Sequence, residues 1–431
     1  MKKMKNIWSS KDEEEHFQSI MEWWSIIVFL RTKDEKKQFS FKGTLTEWCK
    51  KSKVGSIINT TFFNLNNSNY FTFSSKNDTK KLEYSKDTSE IKYDTSFIRG
   101  KFPNYDVVFK DKKNDIKVNL KLKAKFNSHW VAKDITKGYL PMGFGFFRYG
   151  FIPKCSTNGT ISIKNEIYHV EGEAYFEHVW GDIWYDNPLS CLSNIKESIF
   201  IYSKLIFWWL KNHKLSIPNN IKLTTENNPF GYDWIWIIFE NGWSIYFGNL
   251  LFWLMEGPVM GTLSLFKNKN DFIEFPKVTF NYRKKGYSKD YDFCYPIEIE
   301  VFAKNKQESI HLFIKKTMKS REYLSNFSEG KYWKYFVLSE APGIVKAKYK
   351  KCNNVIKLSG ICKIESQRQI SILGHNSVKL KILKPPKEIG ISFSLNSHYF
   401  KKKILVQIQL TPKLAFKTEM KRTLFFENHE K

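Results

Sequence analysis

Alternation of apolar and polar residues is the strongest pattern in this chain, and it is clearest between Asp115 and Phe126. Along that segment every even-numbered residue is apolar, and the residues between them are lysine or asparagine. A repeat of two is typical of a β-strand with one face on a core and the other in water. The pattern therefore predicts a half-buried strand here.

Similar patterns recur along most of the chain and predict further strands at 22–30, 38–45, 159–164, 167–180, 259–266, 295–303, 309–315, 354–365, 369–373 and 390–396. Many antiparallel strands at short spacing predict an all-β fold built of barrels or sandwiches. Asn241-Gly242 predicts a hairpin with a type I′ turn, because both residues tolerate positive φ. Such a turn pairs Trp236 with Phe247.

One segment, 186–225, departs from the strand pattern. Its apolar stripe at helical spacing consists of Ile195, Ile199, Tyr202, Ile206 and Trp209. Lys196, Glu197, Lys204 and Lys211 interrupt this stripe, which makes it too charged for a transmembrane span. The stripe predicts an amphipathic helix that either packs on the strands or lies in a membrane interface.

Composition changes this picture in two ways. The 431 residues are 42% hydrophobic and 17% aromatic, enough for a sizeable core and for two or three domains. The 70 Lys and Arg exceed the 43 Asp and Glu, which gives a net charge of +27. Because many lysines fall on outward strand faces and no nucleic-acid-binding motif is present, we do not expect a nucleic-acid partner.

Six cysteines occur without a C-x-x-C pair, so the sequence indicates neither a disulfide scaffold nor a zinc site. The first fifteen residues combine lysines with acidic residues and lack the apolar centre of a signal peptide. We therefore expect a cytoplasmic protein, free or peripheral to a membrane, with no metal and no cofactor.

The segment 170–184 contains the densest set of residues suited to chemistry. On one strand His178 and Trp180 share a face with small residues, which leave room for a bulky group, and Tyr175 and Glu177 share the opposite face. His178 is either an acid or base in a groove or a structural histidine with a satisfied hydrogen bond.

Two further motifs place carboxylates beside indole rings. In Glu22-Trp23-Trp24, burial between indoles is expected to raise the pKa of the carboxyl and make it a general acid, with a salt bridge to lysine as the alternative. In Tyr232-Asp233-Trp234-x-Trp236 the three rings share a face and the aspartate points away. Those rings either belong to a core or line a pocket for a flat or polyene-like ligand.

In this order the motifs resemble the hydroxyneurosporene synthase (carotenoid 1,2-hydratase) and AttH-like proteins, which are related to tocopherol cyclases and fungal Diels-Alderases. The resemblance rests on the Glu22 motif, on the V-x-G-x-A-Y-x-x-H-x-W-G run that ends at Gly181, and on the Tyr232 strand with its following Asn-Gly-Trp. It extends over residues 17–265.

The resemblance implies two tandem lipocalin-like antiparallel β-barrels with one inserted helix. The N-terminal barrel is expected at 17–185, the helical insertion at 186–225 and the C-terminal barrel at 226–415. The ligand implied is a hydrophobic, isoprenoid or polyene-like molecule in or between the barrels, which members of the family hydrate, cyclise or isomerise by acid catalysis at a double bond. A non-catalytic lipid carrier, or a binding protein on a membrane surface through 195–210, is the alternative.

The catalytic candidates are His178, Glu22, Asp233 and Glu177, which stands where the family commonly has Asp. The ligand-binding candidates are Trp23, Trp24, Tyr175, Trp180, Tyr232, Trp234 and Trp236. Protonating an alkene requires a carboxylic acid, such as Glu22 or Asp233, and rings that stabilise the cation. This mechanism expects four indoles, those of Trp24, Trp180, Trp234 and Trp236, to converge on one cavity that a carboxyl group faces.

Overall fold

The computed structural model describes residues 9–50, 53–142, 145–183, 193–212, 220–224, 231–251, 258–291, 293–324, 333–371, 376–382, 389–397, 402–413 and 417–428. A short 3-10 helix, Ser10–Glu13, precedes the first strand. The strands and the helix of the N-terminal half are β1 (Met21–Thr32), β2 (Gln38–Lys50), β3 (Lys53–Asn64), β4 (Asn69–Asn77), β5 (Glu83–Ser85), β6 (Glu90–Tyr93), β7 (Ser96–Lys101), β8 (Asn104–Asp111), β9 (Ile116–Ala124), β10 (His129–Trp130), α1 (Lys133–Thr136), β11 (Tyr139–Met142), β12 (Gly145–Ile163) and β13 (Glu166–Gly181).

After the first thirteen strands come α2 (Ile195–Asn212) and β14 (Asn220–Thr224). The next strands are β15 (Gly231–Phe239), β16 (Ser244–Leu251), β17 (Pro258–Phe266), β18 (Phe272–Phe275), β19 (Lys277–Ser288), β20 (Phe293–Lys304), β21 (Glu308–Lys316), β22 (Arg321–Leu324), β23 (Trp333–Lys351) and β24 (Asn354–Ser371). The last are β25 (Asn376–Ile382), β26 (Ile389–Ser397), β27 (Lys402–Lys413) and β28 (Lys417–Asn428).

Three antiparallel sheets contain these strands. The first sheet has the order β4-β3-β2-β1-β13-β12-β9-β8-β7-β6-β5, with β10 and β11 also paired to β12. The second has the order β18-β17-β16-β15-β24-β23-β21-β20-β19, with β22 paired to β23, and the third has the order β14-β25-β26-β27-β28. The first two sheets curl into half-barrels, which confirms the predicted all-β class of tandem lipocalin-like units.

The predicted C-terminal unit, 226–415, spans more than one sheet. The second sheet ends at Ser371, and the strands from Asn376 onward pair among themselves and with β14. The division into units at 17–185, 186–225 and 226–415 stays a prediction.

Alternation places the cores as the sequence predicted. On β9, Val118, Leu120 and Leu122 are buried in the first sheet, whereas the residues between them are exposed. A second apolar core fills the concave side of the second sheet. A third cluster lies between the two sheets and includes Ile27 of β1 and Trp236 of β15. Strands β1, β12, β13 and β15 therefore have both faces buried over much of their length, which suits near-continuous apolar runs.

The predicted hairpin at Asn241-Gly242 exists, but its predicted register is wrong by one residue. Trp236 pairs with Tyr246 instead of Phe247. Gly242 has a φ of 87°, and Asn241 does not share a positive φ, so the turn is not type I′. The loop has three residues, with the Gly242 amide bonded to the Phe239 carbonyl, and the extra residue shifts the pairing.

The helix predicted in the insertion is present as α2, but of the predicted stripe only Trp209 packs against the cluster between the sheets. Ile201 and Leu205 pack into the cluster between the sheets, whereas Ile199 and Ile206 of the predicted stripe are 59% and 42% exposed. Apolar residues surround most of this helix, so periodicity alone does not select the packed side. In the described part of the chain, neither helix is long and apolar enough to cross a membrane.

Candidate functional site

Strand β13 has two chemically distinct faces, as its alternation predicted. His178 and Trp180 point into the first sheet beside Phe176 of its core. Tyr175 belongs to the cluster between the sheets, and Glu177 bonds to residues of that side. The strand therefore separates two candidate sites, which we call the inner site and the inter-sheet site.

The inner site is a carboxylate held by two imidazoles. Oε1 of Glu22 lies 2.7 Å from Nε2 of His178 and 2.8 Å from Nδ1 of His16. The His16 backbone amide donates to the other carboxylate oxygen at 2.8 Å, and Nδ1 of His178 lies 2.9 Å from the backbone oxygen of Asp12. Glu22 and His178 are almost completely buried.

Aromatic rings fix both histidines of the inner site. The Trp24 ring stacks on His178 with centroids 4.6 Å apart, and the Trp180 ring stacks on His16 at 3.8 Å. Arg148 lies over the Trp130 ring at 3.8 Å, and an ion pair of 3.0 Å joins it to Asp12, which also supplies the carbonyl bonded by His178. The site is thus a rigid, tightly packed group.

The pKa of Glu22 is lowered, which contradicts the sequence-based expectation. Burial alone raises the pKa of this carboxyl, but hydrogen bonds from His16 and His178 outweigh burial and bring the pKa below its usual range. Burial also lowers the pKa of His178, although Glu22 opposes that effect. Glu22 is therefore a carboxylate and not a proton donor held ready for release.

In the inter-sheet site, Glu177 accepts hydrogen bonds from neutral groups. The indole Nε1 of Trp23 donates to one carboxyl oxygen at 3.2 Å, and the hydroxyl of Tyr149 donates to the other. The Tyr149 hydroxyl also lies 2.9 Å from that of Tyr175. Burial raises the pKa of Glu177 to about 7, and the bonds from Tyr149 and Trp23 only partly offset it. This carboxyl can hold and release a proton near neutral pH.

Aromatic rings from both sheets line the inter-sheet site. Trp234 meets Tyr175 edge to face with centroids 5.2 Å apart, and Trp236 lies 5.7 Å from Tyr175. Tyr246 packs 5.9 Å from Tyr149. These rings offer π faces and an apolar surface beside one carboxyl group, an arrangement suited to a cationic or polyene intermediate.

A buried network of charges borders the same site. Lys42 of β2 pairs with Glu365 of β24, and the Tyr232 hydroxyl donates to Glu365 at 2.9 Å. Glu340 lies 3.3 Å from Lys363 and 3.1 Å from Arg321, which joins β22 to the network. Burial opposes ionisation of Glu340, but the surrounding cations lower its pKa to about 2. Ion pairs thus connect the first sheet to the second.

Asp233 belongs to neither of these sites. It lies inside the second sheet, where Arg368 pairs with it at 3.0 Å and Asn249 donates to it at 3.1 Å. Tyr282 also donates to its carboxylate. Burial alone would raise the pKa of Asp233, but Arg368 and these hydrogen bonds outweigh burial and bring the pKa below its usual value. Asp233 is therefore a paired anion. The structure therefore does not place Asp233 as a proton donor beside the indoles.

The four indoles expected around one cavity are divided between two places, which corrects the prediction. Trp24 and Trp180 lie in the inner site, whereas Trp234 and Trp236 lie between the sheets. Period-two alternation already assigns each pair to a face of its own strand. Alternation does not predict which faces of different strands meet, because that depends on how the sheets curve and pack.

Several residues at these sites escaped prediction from the sequence. His16 precedes the first strand in an irregular segment, and Tyr149 sits in a strand that carries no motif. Lys42 and Glu365 come from β2 and β24, more than three hundred residues apart. No local signal distinguishes them from the many other lysines, glutamates and tyrosines of the chain.

Comparison with known proteins identifies the fold. No family model and no curated protein matches this sequence. An AttH-like protein of Nitrosomonas europaea has a similar solved structure, with a TM-score of 0.56 and 14% identity over 84% of this chain and 97% of that one. Kievitone hydratase from Nectria haematococca has a TM-score of 0.52 and 10% identity over 83% of this chain and 92% of that one.

The chain therefore has the two-sheet, lipocalin-like fold of AttH-like proteins. A further solved structure, CghA, aligns with a TM-score of 0.44 at 7% identity. At such identities the likeness concerns the fold, and the chemistry has to be argued from the two sites of this chain.

Proposed function

We propose that this chain binds a hydrophobic, isoprenoid or polyene-like molecule in the inter-sheet site and hydrates or cyclises it by acid catalysis. The observation that carries the proposal is the buried carboxyl of Glu177, which neutral Tyr149 and Trp23 hold among aromatic rings. A proton donor beside π faces is what addition to an unactivated double bond requires.

In the proposed hydration, Glu177 gives its proton to one alkene carbon, and the neighbouring carbon becomes a cation. The rings of Tyr175 and Trp234 stabilise this cation. Water then forms a bond to the cationic carbon and loses a proton to the Glu177 carboxylate, which restores the acid. In cyclisation a second double bond takes the place of water, and loss of a proton to the carboxylate completes the reaction.

Two independent points support this proposal. The sequence motifs resemble carotenoid 1,2-hydratases, and a protein of the same fold is a hydratase by name. The inner site offers a weaker alternative, because its carboxylate Glu22 is paired with histidines and has a lowered pKa. His178 is therefore proposed as a positioning residue of the first sheet and not as the proton donor.

Incorporation of ¹⁸O tests the proposal. Lycopene and farnesol, as probes, are incubated with the full-length protein in H₂¹⁸O, and products are analysed by mass spectrometry. We expect a labelled alcohol, or an unlabelled cyclised isomer, with the wild-type protein and a loss of about 10²–10⁴-fold in rate with Glu177→Gln.

Glu171→Gln is the matched control, since Glu171 lies on the same face of β13 but pairs with Arg31 at the surface. It should retain the wild-type rate. Binding of both probes without any product identifies a carrier instead, and an unchanged rate with Glu177→Gln contradicts the assigned acid.

A second candidate function is contact with a membrane surface through α2. We infer it from the outward face of the helix, where Phe200 and Phe207 are 58% and 71% exposed. Lys204 lies 4.2 Å above the Phe200 ring, and such a cation can meet anionic head groups while the rings insert. This contact would place the inter-sheet site beside a reservoir of hydrophobic molecules.

Liposome flotation tests this contact. Wild-type protein should bind vesicles that contain phosphatidylserine, less strongly as salt is raised, and Phe200→Ser with Phe207→Ser should abolish binding. Ile167→Ser is the control, because Ile167 of β13 is equally exposed, at 66%, outside the helix. Equal binding by all three proteins would rule out this role of α2.

A further inference from the structure

We propose that His16, Glu22 and His178 form a binding site for a divalent transition-metal ion such as Zn²⁺. One carboxylate oxygen and one ring nitrogen from each histidine lie within 4.8 Å of one another. Two imidazoles and a carboxylate are a donor set that Zn²⁺ uses, with a fourth position left for water or another ligand. Mg²⁺ and Ca²⁺ favour oxygen ligands, so the two nitrogens argue against them.

The hydrogen bond between His178 and Asp12 determines what the inner site can hold. A carbonyl oxygen only accepts, so Nδ1 of His178 carries a hydrogen where it bonds the Asp12 oxygen at 2.9 Å. The neutral ring then directs the lone pair of Nε2 at Oε1 of Glu22, 2.7 Å away. Two lone pairs at this distance repel each other unless a proton or a metal cation lies between them.

The surroundings match those of metal-binding histidines. A backbone carbonyl behind the ring is a common outer partner of a metal-bound imidazole, because it fixes the tautomer and the ring orientation. The Trp24 and Trp180 rings hold the two imidazoles by stacking. The side chain of His16 is 23% exposed and gives the otherwise buried group an opening to solvent.

The dimensions require only small movements. In a tetrahedral zinc site with bonds of about 2.1 Å, neighbouring ligand atoms lie about 3.4 Å apart. Oε1 of Glu22 lies 2.7 Å from the nitrogen of His178 and 2.8 Å from that of His16. Binding of the ion lengthens these two separations by about 0.6–0.7 Å, and it requires the two histidine nitrogens, which lie within 4.8 Å of each other, to approach the same spacing of about 3.4 Å.

This site is independent of the proposed catalysis. It lies on the inner face of the first sheet, whereas Glu177 faces the second sheet. Loss of metal binding would therefore leave the inter-sheet chemistry as proposed, and loss of turnover with Glu177→Gln would leave metal binding intact.

Metal binding by the full-length protein tests the proposal. The protein is stripped with a chelator, dialysed against Zn²⁺ or Co²⁺, desalted, and analysed by elemental mass spectrometry, visible absorption and X-ray absorption at the zinc edge. We expect one ion per chain, intense d–d absorption from four-coordinate Co²⁺, and two imidazoles in the zinc shell.

His16→Ala and Glu22→Gln should each weaken the affinity at least tenfold, and circular dichroism establishes that His16→Ala, at a part-exposed position, is folded. His311→Ala is the matched control, because His311 and Glu300 form a part-exposed pair with the same 2.7 Å separation. It should bind as the wild type does. Less than one ion per chain, or an unchanged affinity in His16→Ala, would overturn the proposal and leave a shared proton between His178 and Glu22.

Discussion

Glu22 and Glu177 lie on adjacent strands of one sheet, and both are buried, yet their surroundings are opposite. Two imidazoles hold Glu22 on the inner face, and they keep its pKa low despite burial. A phenol and an indole hold Glu177 on the other face, and its pKa rises to about 7. Burial is common to both carboxyls, so the difference lies in how far their partners offset it. The two imidazoles outweigh the burial of Glu22, whereas Tyr149 and Trp23 do not outweigh the burial of Glu177.

The two faces of β13 also differ in the groups that surround their carboxyls. On the inner face both imidazoles contact Glu22, and stacked rings fix them, which is what a structural or metal-binding group needs. The inter-sheet face combines a protonatable carboxyl with rings from two sheets. A molecule between those sheets meets both the acid and the surface that stabilises a cation.

The largest expected effect on stability comes from exchanging the two carboxyls for amides. Glu22→Gln breaks the buried pair between Glu22 and His178 and should lower the free energy of unfolding by about 3–5 kcal/mol. Glu177→Gln removes no ionic partner and should change it by about 1 kcal/mol or less. Urea denaturation measures both free energies of unfolding, and equal losses would contradict the difference inferred between Glu22 and Glu177.

Acid should weaken the contact between the sheets through Glu340. Its pKa is about 2 in the folded chain against an ordinary 4.5, so the unfolded chain takes up a proton first as the pH falls. The stabilisation is complete above pH 4.5 and is lost towards pH 2, by about 3 kcal/mol in all.

Denaturation as a function of pH measures this loss, and Glu340→Gln should remove that part of the pH dependence. Glu298→Gln is the control, because Glu298 pairs with Lys315 at the surface. A wild-type slope that persists in Glu340→Gln would show that other carboxylates produce it.

A smaller effect is expected from Tyr149→Phe. This change removes the hydroxyl between Glu177 and Tyr175 and should lower the free energy of unfolding by about 1–2 kcal/mol. It should also reduce the rate of probe conversion more than Tyr246→Phe does, since Tyr246 packs on Tyr149 by ring contact. Equal effects of the two variants would show that the Tyr149 hydroxyl has no special part in supporting the acid.

The smallest effect on stability is expected from Phe207→Ser on α2. The ring is 71% exposed, so the free energy of unfolding should change by about 0.5 kcal/mol or less. A larger loss in thermal denaturation would show that the ring is packed in solution and would remove the basis for membrane contact.

The fold could be predicted from the sequence because most strands alternate with a period of two, as β9 does. The register of the hairpin at Gly242 could not, because it depends on the backbone angle at Asn241, which residue type alone does not determine. The packed face of α2 could not be predicted either, because apolar residues surround much of the helix.

Of the candidate sites, the sequence predicted the faces but not the partners. Alternation placed His178 and Glu177 on opposite sides of β13 correctly. It could not reveal that His16 folds back onto Glu22, because an irregular segment has no periodicity. For this reason the sequence predicted a raised pKa for Glu22, whereas the structure shows a lowered one. The two indole pairs are separated by the curvature and packing of the sheets, which no local pattern encodes.

A crystal structure of the full-length protein with farnesol bound would show where the ligand lies. We expect it between the two sheets against Tyr175 and Trp234, with an alkene carbon about 3.5 Å from the Glu177 carboxyl. Farnesol inside the first sheet, between Trp24 and Trp180 and beside Glu22, would contradict it.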